Sequence, residues 1–171
     1  YCGGADPGLV PGDLVVAESI VDATTTKSYS ANEALLVRAQ NLLKSKSMRG
    51  CLGKLVTIDR VAASSHDKAF LTTQHEAVGI DMERAALAEA LEGTAIPFIV
   101  VRSVLDPLDY HLPDVGDAID EDGSTDAVAL VEHLVKKPAE IARLPKIQYL
   151  ASQARTSIAA FLDAWIDTEA P

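Results

Sequence analysis

The stretch "IPFIVVRSV", residues 96–104, is the clearest strand in this sequence and decides its predicted fold. It is apolar with a single charged residue near its end, rich in β-branched residues and opened by a proline, which is typical of a buried strand. Less continuous apolar runs at residues 12–21, 53–64 and 76–81 predict further strands. Because continuous apolar strands leave no face for water, we expect a sheet that is covered on both faces.

Helical patterns separate these strands. Residues 32–46 place apolar side chains at the spacing of an amphipathic helix, and residues 83–92 form a second helical pattern that ends at Gly93. The last third of the chain predicts helices over 126–137 and from about residue 150. Strands that alternate with helices predict an α/β domain of three layers, with a mixed central β-sheet and helices on both faces.

We expect one domain over residues 1–171. The chain opens on a glycine turn without an initiator methionine, so we expect the first strand of the domain to lie upstream of Tyr1. Residues 109–126, "DYHLPDVGDAIDEDGSTD", are acidic and rich in turn-forming residues, which is typical of a lid or a surface excursion.

The composition narrows the classes of partner. The net charge is −10, so we expect no nucleic-acid partner, because such binding needs a basic face. No apolar run approaches the roughly 20 residues of a membrane-spanning helix, so we expect no transmembrane segment. Cys2 and Cys51 are expected to be free thiols in a reducing cytoplasm, which predicts a cytoplasmic protein. The histidines share no ligand spacing, so we expect no metal site.

Polar residues follow the predicted strands at the points where they end. They form four segments: Cys2, Gly3 and Gly4; Ser64, Ser65, His66 and Asp67; Asp81, Met82 and Glu83; and residues 103–109, which include Asp106. In open α/β sheets ligands bind outside the carboxyl ends of the strands, so these segments could line one crevice. The glycine pair would let backbone amides approach a ligand closely.

Each of these candidates also has an ordinary structural explanation. Asp81 and Glu83 fit the first turn of a helix, where an acidic residue stabilises the helix by roughly 0.3–1 kcal/mol. Asp106 precedes a proline, and an aspartate before proline is common in turns. Arg102 stands near the end of a strand and could simply pair with a neighbouring acid.

Three segments together resemble the purine nucleoside phosphorylase and nucleosidase superfamily. They are "CGGADPGLVPGDLVVAESIVDA" at 2–23, "VGIDMERAALAEAL" at 78–91 and "IPFIVVRSVLDPLD" at 96–109. The family has a glycine pair before a "GD" strand, an acid-Met-Glu segment, and a "PF" strand that ends in arginine and aspartate. The resemblance covers nearly the whole chain. It implies an enzyme that cleaves the N-glycosidic bond of a purine nucleoside, needs no cofactor beyond phosphate as a co-substrate in some members, and forms a homo-oligomer.

The resemblance implies roles for the residues that match the family motifs. Asp106 matches the acid that protonates the purine at N7, for which burial would have to raise its pKa. Glu83 matches the residue that binds the ribose hydroxyls, and Met82 would pack on the face of the ribose. Arg102 would hold the carboxylates by a salt bridge.

Other residues receive looser roles from the same resemblance. The backbone of Cys2 and Gly3 would line the base or the ribose. The loop that contains Ser65 and His66 would lie beside the adenine. The role of Asp81 stays open between contact with the ligand and support of the helix that follows.

Two departures from the family pattern bear on the substrate and the reaction. Leu105 replaces the serine that precedes the catalytic aspartate in the family, which fits an apolar or unusual substrate.

The segments "LDPLD" and "HLP" look closest to the hopanoid-associated phosphorylase branch, whose members are implicated in removing adenine from adenosylhopane. The family's residues for phosphate or water would lie upstream of Tyr1, so phosphorolysis and hydrolysis stay open. A methylthioadenosine/adenosylhomocysteine-type nucleosidase, a general purine nucleoside phosphorylase and a non-catalytic nucleoside-binding module are the alternatives.

Overall fold

The computed structural model describes residues 1–59, 62, 64–110 and 144–168, and strands alternate with helices along them. The strands are β1 (Cys2–Gly4), β2 (Leu14–Asp22), β3 (Ser28–Ser30), β4 (Gly50–Thr57), β5 (Ala77–Asp81) and β6 (Val100–Asp106). The helices are α1 (Glu33–Ser45), α2 (Ser65–His75), α3 (Arg84–Leu91) and α4 (Leu144–Asp167).

The described strands form one mixed sheet in the order β3-β2-β4-β5-β1-β6, and β6 returns to pair with β2. The β2–β4, β4–β5 and β1–β6 pairs are parallel, whereas β1–β5, β2–β3 and β2–β6 are antiparallel. The predicted mixed sheet is therefore confirmed. The sequence did not indicate that five of the strands close into a ring.

One edge of β2 pairs with two strands, β6 and β3, and this lets the five strands close into a ring. Residues 14–17 pair with β6, and residues 19–21 pair with β3. Between these two sets, the register of β2 against β4 shifts at Glu18. A bulge of this kind bends a strand and increases its twist, so one edge can face two directions.

The alternation of side chains along β2 separates two apolar layers. Leu14 and Val16 are buried against α1 and α4, in a cluster that includes Leu42 and Phe161. Val15 lies on the other side of the strand, in a cluster that includes alanines of α3. A third cluster, with Val56 and Ile80 at its centre, is covered by Leu71 of α2. Helices thus cover the outer faces of the sheet, as the continuous apolar strands predict.

Most predicted elements are present, with shifted ends. Asn32 caps α1 because its side chain accepts a hydrogen bond from the Leu35 amide at 3.1 Å. α4 begins six residues before the predicted start near residue 150. The predicted helix at 126–137 and most of the predicted excursion at 109–126 lie outside the described residues. Among the described helices, none is both long and apolar enough to cross a membrane.

Three local predictions are wrong, each for an identifiable reason. Residues 3 and 4 lie in strand β1 and not in a turn, because β5 and β6 supply hydrogen-bonding partners on both of its edges. The strand predicted at 53–64 ends at Thr57, and the residues from Ser64 begin helix α2. The strand predicted at 96–104 begins only at Val100, and the Phe98 carbonyl accepts from the Asn32 amide at 2.9 Å instead of from a strand.

We predict that Gly50→Ala destabilises the protein by about 1–3 kcal/mol through overpacking between β2 and β4. A Cβ at this position would meet the Leu14 carbonyl oxygen and lie 3.0 Å from the Leu14 Cβ, and neither of these atoms can move away easily. Urea unfolding of the full protein measures the effect. Gly8→Ala is the control, because its Cβ would approach only the exposed Asp6 carboxylate, at 3.1 Å. Equal stability of the two variants would contradict the close packing.

Candidate active site

Strand β1 brings the ends of β5 and β6 together. In the ladder Gly3 lies opposite Ile80 of β5 on one side and opposite Asp106 of β6 on the other. A Cβ on Gly3 would lie 3.5 Å from the Asp106 Oδ2 atom, so the glycine lets this carboxylate sit against the backbone. A cavity of about 90 Å³ opens here, and Gly3, Lys68, Asp81, Met82 and Asp106 are among its lining residues.

Asp81 is buried at the end of β5 and is held by three kinds of donor. The Thr57 hydroxyl donates to its Oδ1 atom at 2.8 Å. The Arg102 guanidinium donates to its Oδ2 atom through Nε and Nη2, each at 3.2 Å. The amides of Glu83 and Arg84 approach Oδ1 at 3.4 and 3.3 Å. Asp81 thus anchors the start of α3, which supports the structural alternative for this residue.

Arg102 links this buried acid to the surface. Its side chain is mostly buried, and its Nη2 atom also lies 3.8 Å from the Glu83 Oε2 atom. Glu83 is exposed over 70% of its side chain and accepts a hydrogen bond from Arg84 Nη2 at 2.8 Å. Met82 is about half exposed and lines the cavity. The structure therefore brings Arg102, Asp81 and Glu83 together, as the salt bridge in the sequence prediction requires.

Asp106 is buried at the end of β6 and forms an ion pair with Lys68 of α2. The Lys68 Nζ atom also donates to the carbonyls of Pro107 and Tyr110, at 3.0 and 3.1 Å. Burial raises the pKa of the Asp106 carboxyl above its ordinary value, and the Lys68 ammonium opposes part of that rise. A carboxylic acid in this setting can hold a proton at a higher pH than an exposed aspartate.

Cys2 lies near the cavity but turns its side chain into the core. Burial raises the pKa of the Cys2 thiol to about 12, so the thiol is poorly suited to react or ionise. Gly3 lines the cavity and Cys2 does not, so the ligand contact that the family resemblance implies for Cys2 stays a prediction.

Ser65 and His66 open helix α2 and do not line the cavity that contains Asp106. The helix is capped by Ser64, whose hydroxyl oxygen accepts from the Asp67 amide at 3.1 Å. His66 is exposed to solvent. These residues lie on the same helix as Lys68, so the segment reaches the site through a residue that the sequence prediction did not select.

Sequence reasoning missed Lys68 and Thr57, and both left a signal. Lys68 stands three positions before Leu71 on the buried face of α2, where a charged residue calls for a buried partner. Thr57 ends a strand with a polar side chain, just as Asp81 does. Neither residue belongs to a motif, so only the fold shows that each one faces a carboxylate.

Larger clefts lie elsewhere on the described part of the chain. One of about 510 Å³ runs between Arg49, the turn at residues 10–13 and α4. Its buried acid, Asp13, is bound by Arg49 through two hydrogen bonds of 2.9 and 3.0 Å. Asp13 therefore supports the fold there, and the cavity at Asp106 stays the best candidate for chemistry.

A comparison with protein families agrees with this geometry. The model of the phosphorylase superfamily matches residues 1–142. The chain belongs to this superfamily. The match includes β1, the Asp81–Glu83 segment and the β6 end, which together build the cavity.

Individual relatives within the superfamily cover the chain in part. A 5'-methylthioadenosine/S-adenosylhomocysteine nucleosidase of Staphylococcus epidermidis is 28% identical over an alignment of 120 residues that covers 61% of this chain and 53% of the relative. The chain thus spans about half the length of this curated relative.

Solved structures of the superfamily share the fold. Futalosine hydrolase of Helicobacter pylori superposes with a TM-score of 0.67 at 20% identity, over 98% of this chain and 65% of that one. The 5'-methylthioadenosine/S-adenosylhomocysteine nucleosidase of the same organism, solved with butyl-thio-DADMe-Immucillin-A, superposes with a TM-score of 0.62 at 17% identity. The superposition covers 95% of this chain and 65% of that one. The three-layer α/β architecture predicted from the sequence is confirmed.

We predict that Thr57→Val destabilises the protein by about 1–3 kcal/mol, because it leaves two buried polar groups without their partner. The Thr57 hydroxyl donates to Asp81 and accepts from the Ala85 amide at 3.1 Å. Denaturant unfolding checks the value. Thr73→Val is the control, since its hydroxyl bonds the Ala69 carbonyl on an exposed face of α2. A cost no larger than that of the control would mean that Thr57 does not hold Asp81.

Proposed function

We propose that this chain is part of an enzyme that cleaves the N-glycosidic bond of a purine nucleoside and releases adenine. The observation that carries the proposal is the buried carboxyl of Asp106 in a small cavity, across strand β1 from the linked groups of Asp81, Arg102 and Glu83. Membership of the phosphorylase superfamily supports the same reaction class.

The chemistry needs an acid on the purine side. When the glycosidic bond breaks, the electrons of that bond pass to the purine, and a proton at N7 makes the purine a better leaving group. General acid catalysis of this kind contributes roughly 10²–10⁴-fold. The raised pKa of Asp106 supports this role, because the acid must keep its proton until the bond breaks.

The sugar side needs groups that orient the ribose and tolerate positive charge. The ribosyl carbon becomes cationic as the bond breaks, and a nearby carboxylate stabilises that charge. We assign this role to Glu83, whose carboxylate is exposed, follows the cavity-lining residues Asp81 and Met82, and lies 2.8 Å from Arg84 and 3.8 Å from Arg102. Met82, which lines the cavity, supplies an apolar contact for the ribose.

The finer identity of the reaction is proposed from the relatives. Those named above are called nucleosidases or a hydrolase, which favours water over phosphate as the nucleophile and a methylthioadenosine/adenosylhomocysteine-type nucleoside as substrate. Leu105, which stands where the family has a serine before the acid, keeps a nucleoside with an apolar substituent such as adenosylhopane, and thus hopanoid biosynthesis, as the second candidate. A homo-oligomer and a cytoplasmic location stay predictions of the sequence.

One assay separates these candidates. The full-length protein is incubated with methylthioadenosine, adenosylhomocysteine, adenosine and adenosylhopane, with and without phosphate, and adenine release is followed. Phosphate dependence would identify a phosphorylase and contradict the hydrolase proposal. Nucleoside binding without release under any condition would instead support a binding module that keeps the fold.

For the acid, we predict that Asp106→Asn lowers kcat/KM for adenine release by about 10²–10⁴-fold, because an amide cannot donate the proton. Steady-state kinetics of the full-length protein measure this loss, and circular dichroism checks that the variant folds. Asp109→Asn is the matched control, since Asp109 is exposed and follows in the same turn. Full activity of the Asp106 variant would exclude Asp106 as the acid.

For the sugar side, we predict that Glu83→Gln lowers kcat/KM by about 10–100-fold, the loss of a charged hydrogen bond worth about 1.5–3 kcal/mol. The folding stability should change little, because the Glu83 side chain is 70% exposed. Kinetics and thermal melts are compared with Glu89→Gln, an exposed glutamate that bonds Lys27 at 2.7 Å. An unchanged kcat/KM would show that Glu83 does not bind the ribose.

A further inference from the structure

Lys68 is the most deeply buried charged residue in the described part of the protein, with 1% of its area exposed. Its three ammonium protons have three acceptors, which are the Asp106 carboxylate and the carbonyls of Pro107 and Tyr110. The Tyr110 amide also donates a backbone hydrogen bond to the Pro107 carbonyl at 3.0 Å, which closes a turn directly after β6. Lys68 therefore binds at once the acid and the turn that follows it.

We propose that Lys68 is the positioning residue of Asp106: its ammonium binds both the carboxyl at the end of β6 and the turn that follows, and so fixes the carboxyl in place. The inference rests on the proposed function, in which Asp106 is the acid. It adds a residue from α2, a helix that carries none of the motifs, to the machinery of the reaction.

The position of Lys68 supports a role beyond packing. An aliphatic side chain at this point of α2 would fill the same volume without the cost of burying an ammonium group, so its charge needs an explanation. An opposite charge in direct contact favours the ionised carboxylate, whereas burial favours the protonated acid. These two effects oppose each other at Asp106, and burial is the larger of them. The balance leaves the pKa of Asp106 above that of an exposed aspartate.

The sign of the effect follows from this balance. A general acid loses activity as the pH rises through its pKa. Removal of the Lys68 charge removes the effect that lowers the pKa of Asp106, while the burial stays. The alkaline limb of the kcat/KM profile should then move to higher pH by about 1–3 units, the usual effect of one adjacent opposite charge.

The test compares Lys68→Met with wild type in the full-length protein. We expect kcat to fall by up to about 10²-fold because the acid is no longer held in place, with KM little changed. We also expect the alkaline limb to move upward. Lys54→Met is the matched control: Lys54 pairs with Glu76 at 2.7 Å on the surface, so neither kcat nor the limb should change. A lower kcat with an unmoved limb would reduce Lys68 to a packing residue and overturn the proposal.

A second measurement does not depend on activity. The ¹³C signal of the Asp106 carboxyl is titrated in wild type and in Lys68→Met, and the midpoint should rise in the variant. An equal midpoint overturns the proposal even if Asp106→Asn is inactive. If Asp106→Asn is instead fully active, the proposed function fails while the titration still decides whether Lys68 sets the protonation of Asp106.

Two further variants cover a failure of Lys68→Met to fold. Lys68→Gln keeps an N–H donor for the two carbonyls and removes only the charge, so its midpoint and limb should also move upward. Lys68→Arg keeps the charge but cannot place its donors on the same three acceptors. It should retain the wild-type midpoint and lose kcat. A wild-type midpoint in Lys68→Gln, or a wild-type kcat in Lys68→Arg, overturns the proposal.

Discussion

The close approach of three strands at β1 is the constraint on which the site depends. Gly4 pairs directly with Gly79 of β5, and on its other side a Cβ would lie 3.2 Å from the Val104 side chain of β6. A Cβ at Gly4 would also lie 3.4 Å from the Asp106 carbonyl oxygen, so β6 would have to shift to admit a side chain. Because β1 carries glycines and no large side chains here, Asp81 and Asp106, at the ends of β5 and β6, line one small cavity. The return of β6 to β2 then fixes the second edge of β6, so both acids rest on strands that are held on two sides.

The two acids stand in similar ion pairs that lead to different roles. Asp81 faces an arginine, whose planar guanidinium donates two hydrogen bonds to one carboxylate oxygen, so this pair holds Asp81 in place. Asp106 faces a lysine of helix α2, and burial of this pair disfavours the charged form of the Asp106 carboxyl. Burying ions is costly, and such pairs are weak contributors to stability unless they serve a further purpose. For Asp81 that purpose is the start of α3, and for Asp106 the proposed purpose is control of a proton.

The sequence predicts the layers of the fold better than its details, for physical reasons. Continuous apolar strands and amphipathic helices are local signals, so the covered sheet and α1 follow from periodicity. The ring of strands depends on a bulge at Glu18 and on pairing between residues far apart in the chain, neither of which local spacing records. The same holds at the site. The motifs around Glu83 and Asp106 are contiguous and can be recognised in the sequence. Lys68 contacts Asp106 across 38 residues of chain, which no local motif records.

The segment Asp81-Met82-Glu83 offers two carboxylates for the proposed ribose contact, and their hydrogen bonds decide between them. A carboxylate has about four acceptor positions. Asp81 uses its two oxygens for Thr57, for both Arg102 donors and for two longer contacts to backbone amides. A ligand hydroxyl would have to displace one of these and leave a buried donor unpaired, at a cost of about 1–3 kcal/mol. Glu83 bonds a neighbouring arginine at the surface and can exchange that contact for a ligand with little loss. The first acid therefore builds the helix start, and the second is the one that can bind.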